Sequence, residues 1–367
     1  MTDPTIENLV LRRVQVPLIT PYKLAFGPLD AFDMVLVEVR TSDGRCGWGE
    51  ATVLSGYTEE TIDQAWATAV KIGEGMVGKS TTGLKSRALG FHAGAPFTAS
   101  AFVSAVEMTE GCAVLTADHD RHVPLLAIVN STDFAVLADE IEERLAEGFK
   151  TLKVKAGFER AADMKRLDFI QDRVAGRALL RVDANQGYST SDAVKFVSEI
   201  SPDGIELVEQ TCAAGDWDAA VTVAECARKS GLPIMLDESI FCLRDVDRAA
   251  ALNCADVIKL KLMKMGGLEA LVTGLEHISA MRMKRVLGNG VAGDIGCWME
   301  ACVAADRIDN AGEMNGFLKP ASRLFEVPMR LEGGDLVLTA GGDIDVDDDA
   351  LNYHTLERRD ILRGQQI

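Results

Sequence analysis

Apolar positions along the chain fall into three successive rhythms. From Ile6 to about Leu125, two alternating runs come first, VLRRVQVPL and then MVLVEVRTSDGRCGWGEA, the second interrupted by Ser42-Asp43-Gly44. Alternation of period two around a glycine turn predicts antiparallel strands and a hairpin. The stretches EETIDQAWATAVKIGEGMV and ASAFVSAVEMTEGCAVL then place apolar residues three or four apart, which predicts helices. This part of the chain therefore reads as an α+β unit over residues 1–124.

Beyond it, strands and helices alternate. VPLLAIV leads into TDFAVLADEIEERLAEGF, with Thr132 or Asp133 as N-cap, Leu137, Ile141 and Leu145 on one face, and Gly148 as terminator. TLKVKA, ALLRVDA, GIELVEQ, PIMLDES, ADVIKLK and KRVLGN follow in turn, the pattern of right-handed βα repeats closing a parallel sheet over residues 125–322. Residues 323–367 return to a β pattern, and LEGGDLVLTAGGDIDVDDDALNY predicts a hairpin about Gly341 and Gly342 that packs back on the N-terminal unit. The aspartates from Asp343 to Asp349 lack the glycine and terminal glutamate of a calcium loop and are read as a solvated acidic edge.

Charge narrows the range of partners. A net charge of −18 on 367 residues argues against nucleic acid and anionic membrane surfaces. No apolar run is long enough to span a bilayer, and MTDPTIENLV does not resemble a signal peptide, so a cytoplasmic location is expected. The eight cysteines include no CxxC pair and are read as reduced, mostly buried thiols, Cys212 alone lying just past a motif strand. His92, His119, His122, His277 and His354 lie outside the motif strands.

The chemistry is concentrated at strand ends. Residues two apart on a strand share a face, so Lys153 and Lys155 project together, as do Asp183 and Asn185, and Lys259 and Lys261. Asp183, Glu209 and Asp237 each follow an apolar run (LLRV, IELV, PIML), which places each carboxylate at the carboxyl end of its strand, the face where barrel active sites form. Taken singly, a KxK is a solvated edge, a DxN a turn and an LDES a helix cap. Together they suggest three hard oxygen ligands, suited to Mg²⁺, set between lysines.

This set of KxK, DxN, Glu, DES and KLMKxGG resembles the enolase superfamily in its muconate-lactonizing subgroup, over nearly the whole chain. The resemblance implies a modified (β/α)8 TIM-type barrel, (β/α)7β, with an N-terminal α+β capping domain completed by the C-terminal segment. It implies Mg²⁺, or Mn²⁺ in its place, on Asp183, Glu209 and Asp237. Lys155 and Lys261 become the acid/base pair, Lys153 assists Lys155, Asn185 supports the metal site and Lys264 supports Lys261. The chemistry is the superfamily's general pattern, carried over from it: a lysine or histidine base removes the proton α to a carboxylate, with Mg²⁺ beside the ene-diolate. A lysine base must be neutral, so metal charge, Lys153 and burial are expected to lower its pKa.

The outcome of that half-reaction is left open. Lys261 and the histidine-free RVLGNGVAGDIG set the chain apart from the mandelate racemase branch. Dipeptide epimerases carry a DxD on strand eight that grips a substrate ammonium group; AGEMNGFLKP looks more like the muconate cycloisomerases, making Glu313 a candidate site acid, with a structural salt bridge as its other reading. Thr211 stands where the family has proline. Cycloisomerisation or racemisation of a small carboxylate or amino acid derivative is expected. The alternatives are β-elimination from a hydroxy acid or hydroxy-amino acid and a non-catalytic carboxylate-binding protein. Tyr22 and Phe26 in one cap loop, Tyr57 in another, and Asn315 after strand eight are candidate substrate contacts. The resemblance also implies a homo-oligomer.

Overall fold

The computed structural model describes residues 3–24, 27–54, 60–341 and 344–363. The candidates Phe26 and Tyr57 lie outside them, as does Gly342. The N-terminal unit opens with β1 (Ile6–Leu24), β2 (Gly27–Thr41) and β3 (Cys46–Thr52), joined as an antiparallel sheet, followed by α1 (Ile62–Gly73), α2 (Thr81–Leu89) and α3 (Pro96–Thr109). The expected hairpin is β2–β3, whose turn runs through Gly44 at φ +83°, a backbone conformation suited to glycine. The inward faces of these strands (Leu9, Leu11, Val35, Val37, Val39) meet Trp66, Phe97, Phe102 and Val106 of the helices in one core.

After β4 (Arg121–Pro124) come the alternating units: β5 (Ala127–Val129), α4 (Phe134–Ala146), β6 (Thr151–Lys155), α5 (Arg160–Val174), β7 (Leu179–Asp183), α6 (Thr190–Glu199), β8 (Ile205–Glu209), α7 (Trp217–Lys229), β9 (Ile234–Leu236), α8 (Leu243–Leu252), β10 (Val257–Leu260), α9 (Leu262–Met265), α10 (Leu268–Ala280), β11 (Lys284–Leu287) and α11 (Asp294–Arg307). Strands β5 to β11 pair in sequence order, and every pairing is parallel. The ring closes through Gly312 and Glu313. Gly312 N donates to Pro124 O (2.8 Å), Gly312 O accepts from Leu126 N (3.0 Å), and Glu313 N donates to Leu287 O (2.9 Å). Gly288, at φ +129°, lets β11 pass this segment; a Cβ there would stand 2.6 Å from the Glu313 nitrogen. The result is the (β/α)7β barrel expected from the sequence.

The C-terminal segment differs from its expected hairpin. The strands are β12 (Arg330–Glu332) and β13 (Asp335–Leu338), and they turn at Gly333–Gly334, where both residues have positive φ, not at Gly341–Gly342. A two-residue hairpin turn of this kind needs that conformation at both positions. This hairpin adds to β4. It is β14 (Thr355–Ile361), after α12 (Asp348–His354), that returns to the cap sheet, antiparallel to β1. Within the acidic stretch, Asp347 caps α12 by accepting from Ala350 N at 2.9 Å.

Cap carboxylates dock on the N-termini of two barrel helices. Glu107 of α3 accepts from Leu268 N at the start of α10 (2.5 Å), and Glu50 of β3 accepts from Gly293 N (2.6 Å) and Gly296 N (3.0 Å) at the start of α11. Both helices lack a side-chain cap of their own, so these acids satisfy exposed N–H groups and meet the positive end of the helix dipole. Glu50→Ala and Glu107→Ala should each lower the unfolding free energy by about 1–3 kcal/mol, measured as a fall in urea midpoint.

Helix α11 carries two further buried acids. Burial raises Asp294 from its ordinary 3.8 to about 6 and Glu300 from 4.5 to about 7, against the hydrogen bonds from Leu324 N and Leu262 N that favour their charged forms. The folded chain therefore retains protons that the unfolded chain releases between about pH 4 and 7. Their contribution makes stability fall as pH rises through that window. Asp294→Asn and Glu300→Gln should each flatten the dependence of the denaturation midpoint on pH over that range.

Candidate active site

The apolar runs deliver polar residues to one rim of the barrel. Lys155, Asp183 and Glu209 end β6, β7 and β8, and the register sets Lys155 beside Asp183 and Asp183 beside Glu209. Asp237 follows β9, Lys261 follows β10, and Glu313 comes from the closing segment. Alternation sends Lys153 and Lys259, two residues earlier on their strands, into the same interior. These side chains other than Glu209, with Tyr22, Leu54, Asn185, Glu238, Phe241 and Asn289, line a cavity of about 330 Å³. A larger cleft, of about 950 Å³, opens at the opposite end, where Thr151, Leu179 and Val257 begin their strands. It shares none of the residues of the motif set.

Inside the cavity, amines and carboxylates alternate. Lys153 Nζ lies 2.8 Å from Asp183, 2.9 Å from Glu209 and 3.0 Å from Glu313. Lys259 Nζ approaches Glu209 (3.2 Å) and Asp237 (3.4 Å) and makes its closest contact with Glu313. Lys155 Nζ meets Asp183 at 2.7 Å and donates to Asn185 Oδ1 at 2.6 Å, while Lys261 Nζ meets Asp237 at 2.8 Å. Lys264 Nζ reaches Asp237 Oδ1 (3.1 Å) and donates to the carbonyls of Asp237 and Ile240. Glu313 thus has both of the characters expected of it: it lines the cavity and is salt-bridged.

Burial opposes every one of these charges, and the neighbours decide the outcome. Lys153 and Lys155 hold Asp183 below the usual carboxylate range despite burial, and Lys261, Lys264 and Lys259 do the same for Asp237. Burial and the negative charge of Asp183 push Glu209 up. Burial, and for Lys155 the charge of Lys153, pull the two acid/base lysines down as expected. Burial is the largest single influence on each, but the surrounding acids, led by Asp183 for Lys155 and Asp237 for Lys261, together raise them by more, so among protein groups alone both amines stand above their ordinary value. Lys264 is the motif lysine that burial does bring down, to about 8.

Backbone strain and hydrogen bonds set the loops that carry these groups. Asn185 (φ +40°), Gln186 (φ +67°) and Gln210 (φ +37°) hold left-handed conformations just past the strand ends. Asn185 N donates to Asp183 Oδ1 (2.9 Å), and its amide donates to Glu238 Oε1 (3.0 Å). Gln210 Oε1 accepts from Asp237 N and Ser239 N, and its amide nitrogen donates to Cys212 O and Ser239 Oγ. Gln210, Glu238 and Lys259 were missed as site residues in the sequence. Lys259 was legible, since its two-residue offset from Lys261 already gave a shared face.

The remaining candidates divide. Tyr22 lines the cavity, whereas Asn315 lies beside it, accepting from Lys319 and donating to Leu126 O. None of the five histidines lines the cavity. Cys212 is buried away from it with a thiol raised by burial, so it has no part in the site.

The donor set suits a hard divalent cation: adjacent carboxylates, with no thiol or imidazole among the described residues that line the cavity. Glu238 Oε2 is a buried oxygen that accepts no hydrogen bond among the described residues, and Glu209 Oε2 is held by the Lys153 ammonium at 2.9 Å. Ammonium groups stand between the acids as they are placed, and among the described residues no group of three acids, histidines or cysteines encloses a cation in that arrangement. The positions nevertheless favour positive charge, which fits the ion. Glu313→Gln removes one shared partner from two buried amines and should destabilise the chain by about 3 kcal/mol or more, observable in chemical denaturation.

Fold and site together define a capped-barrel enzyme of the isomerase type. The chain belongs to the enolase superfamily, in its muconate-lactonizing subgroup. Residues 136–349 match the enolase C-terminal domain-like family and residues 6–109 the mandelate racemase/muconate lactonizing enzyme N-terminal domain. The L-Ala-D/L-Glu epimerase of Bacillus subtilis is 32% identical over 290 residues, 73% of this chain and 75% of that protein. A dipeptide epimerase from Cytophaga hutchinsonii, complexed with Mg and D-Ala-L-Val, superimposes with TM-score 0.87 at 22% identity, covering 98% of this chain and all (100%) of that one. The muconate lactonizing enzyme of Pseudomonas fluorescens, complexed with muconolactone, gives 0.85 at 24% identity, covering 96% and 100%. Among the described residues no helix is long and apolar enough to cross a membrane.

Proposed function

We propose that the chain racemises or epimerises a small carboxylate, an amino acid derivative, by moving the proton on the carbon α to the carboxyl group. One observation carries this reading: Lys155 and Lys261 belong to strands four places apart in the ring, β6 and β10, and both line the same small cavity. In a ring closed by an eighth segment, that separation sets the two amines on opposite sides of whatever the cavity holds.

The α-proton of a carboxylate is weakly acidic because its removal concentrates negative charge on the carboxyl oxygens. Asp183, Glu209 and Asp237 would hold Mg²⁺, which when bound supplies positive charge against that build-up. One of the opposed lysines, neutral, takes the proton and becomes an ammonium. The other, already an ammonium, returns a proton to the opposite face and becomes neutral, so the centre inverts and charge balances. Contact with Asp183 and Asp237 holds both amines protonated, so engagement of those carboxylates elsewhere is what frees one lysine to act as base. Lys153 and Lys259, deeper in the barrel, keep positive charge beneath the reacting carboxyl group. Asn185 and Lys264 hold Lys155 and Asp237 in place. The family supports isomerisation over elimination, since its curated relatives include an epimerase.

Lys155→Ala and Lys261→Ala should each abolish turnover while Mg²⁺ binding, measured by calorimetry, is retained or tightened, since each removes an ammonium that competes for a ligand; full activity in either would defeat the two-base scheme. Asp183→Asn, Glu209→Gln and Asp237→Asn should each lose the ion. Incubation in D₂O with N-acylated amino acids should exchange the α-hydrogen without change of constitution, and loss of water instead would mean elimination.

A further inference from the structure

Six lysines gather about the mouth: Lys153, Lys155, Lys259, Lys261 and Lys264, each in contact with a carboxylate, and Lys319, which among the described residues has none. Lys319 follows the closing segment. Its Nζ donates to Gly290 O (2.7 Å) and Asn315 Oδ1 (3.2 Å) and stands 4.9 Å over the Tyr22 ring. Asn315 is itself fixed, since its Nδ2 donates to Leu126 O at 3.0 Å. An ammonium has three N–H groups, and these contacts use two on neutral oxygens.

Its location gives this cation a purpose. Gly290 and Tyr22 line the catalytic cavity; Tyr22, Asn315 and Lys319 also line an adjoining cleft of about 810 Å³ between the end of β1, β5 and α4. Lys319 therefore stands where the two spaces meet, and burial lowers its amine below the ordinary value, as expected for a charge awaiting a counter-charge.

We propose that Lys319 is a specificity-determining residue that binds a second carboxylate of the substrate, distal to the one beside the acidic C–H. The substrate class is then either an amino acid N-acylated by a dicarboxylic acid or a free dicarboxylate. A substrate with a free ammonium group at this end meets a like charge from Lys319 and only the neutral amide of Asn315. This inference rests on the proton-transfer reading for its kinetic test but not for its binding test.

The chain and its Lys319→Met and Lys319→Arg variants are assayed with Mg²⁺ in D₂O on N-succinyl-L-alanine, N-acetyl-L-alanine and L-alanyl-L-alanine, and by calorimetry with glutarate and butyrate. The original chain should exchange the succinyl compound with kcat/KM at least about 10-fold above the other two, and bind glutarate at least about 10-fold more tightly than butyrate. Lys319→Met should erase both preferences, the kinetic one through a rise in KM with little change in kcat, and Lys319→Arg should restore much of each. A preference for the acetyl compound or the dipeptide, or preferences that survive Lys319→Met, would overturn the assignment. Lys319-dependent glutarate binding without any exchange would sink proton transfer and leave this site standing. Exchange indifferent to Lys319 would do the reverse, and the absence of both exchange and glutarate binding would defeat both. Strong glutarate binding with weak use of the succinyl compound would identify the free dicarboxylate as the source.

Discussion

Everything at the mouth of this barrel depends on charges kept out of water. Lys153, Lys155, Lys259, Lys261 and Lys264 are buried together with Asp183, Glu209, Asp237 and Glu313. Any one of them alone would cost several kcal/mol to desolvate, so each persists only because its neighbours are of opposite sign and within about 3 Å. The parallel register makes this feasible, since it sets the ends of β6, β7 and β8 side by side. Left-handed residues past those ends then fix the acids: Asn185 donates its backbone N–H to Asp183 and its amide to Glu238, and the Gln210 side-chain oxygen accepts from Asp237 N. The network is therefore both a structural burden and the means of catalysis, because a proton can be moved cheaply only where compensation is already in place.

The same compensation explains the state of the lysines. Paired to carboxylates, Lys155 and Lys261 are poorer bases than free lysine. A cation that competes for Asp183 and Asp237 removes the partners that hold the amines protonated, so ion binding and base activation become one event. Lys264, which burial already lowers, shares Asp237 with Lys261 and couples the two.

Much of this was legible in the chain. Apolar runs ending in Asp183, Glu209 and Asp237 gave the strand ends, and the two-residue offsets gave Lys153 with Lys155 and Lys259 with Lys261. The barrel and its cap followed from the switch between alternating and βα rhythms. What the sequence hid depends on contacts across long separations. Nothing local marks Glu50 and Glu107 as caps for barrel helices some 160 or more residues away, or Gln210 as the clasp on Asp237. The lysines stand above their ordinary value because several buried acids act on each together, and which acids converge on a given lysine is not written in its own strand. The C-terminal hairpin was misplaced because two glycine pairs, 333–334 and 341–342, offer the same local signal, and only pairing with β4 chooses between them.

The barrel is closed by a seam, not by a full strand: a few hydrogen bonds at Gly312 and Glu313 join the first and last members of the ring. Glu313, Asn315 and Lys319 all sit on or just past that seam, while the lysines and acids of proton transfer belong to strands locked on both sides. Evolution can thus redraw the stretch past Glu313 for a new molecule without disturbing the machinery opposite it, and a lineage of such barrels can diversify in what it accepts while inheriting one way of acting on it.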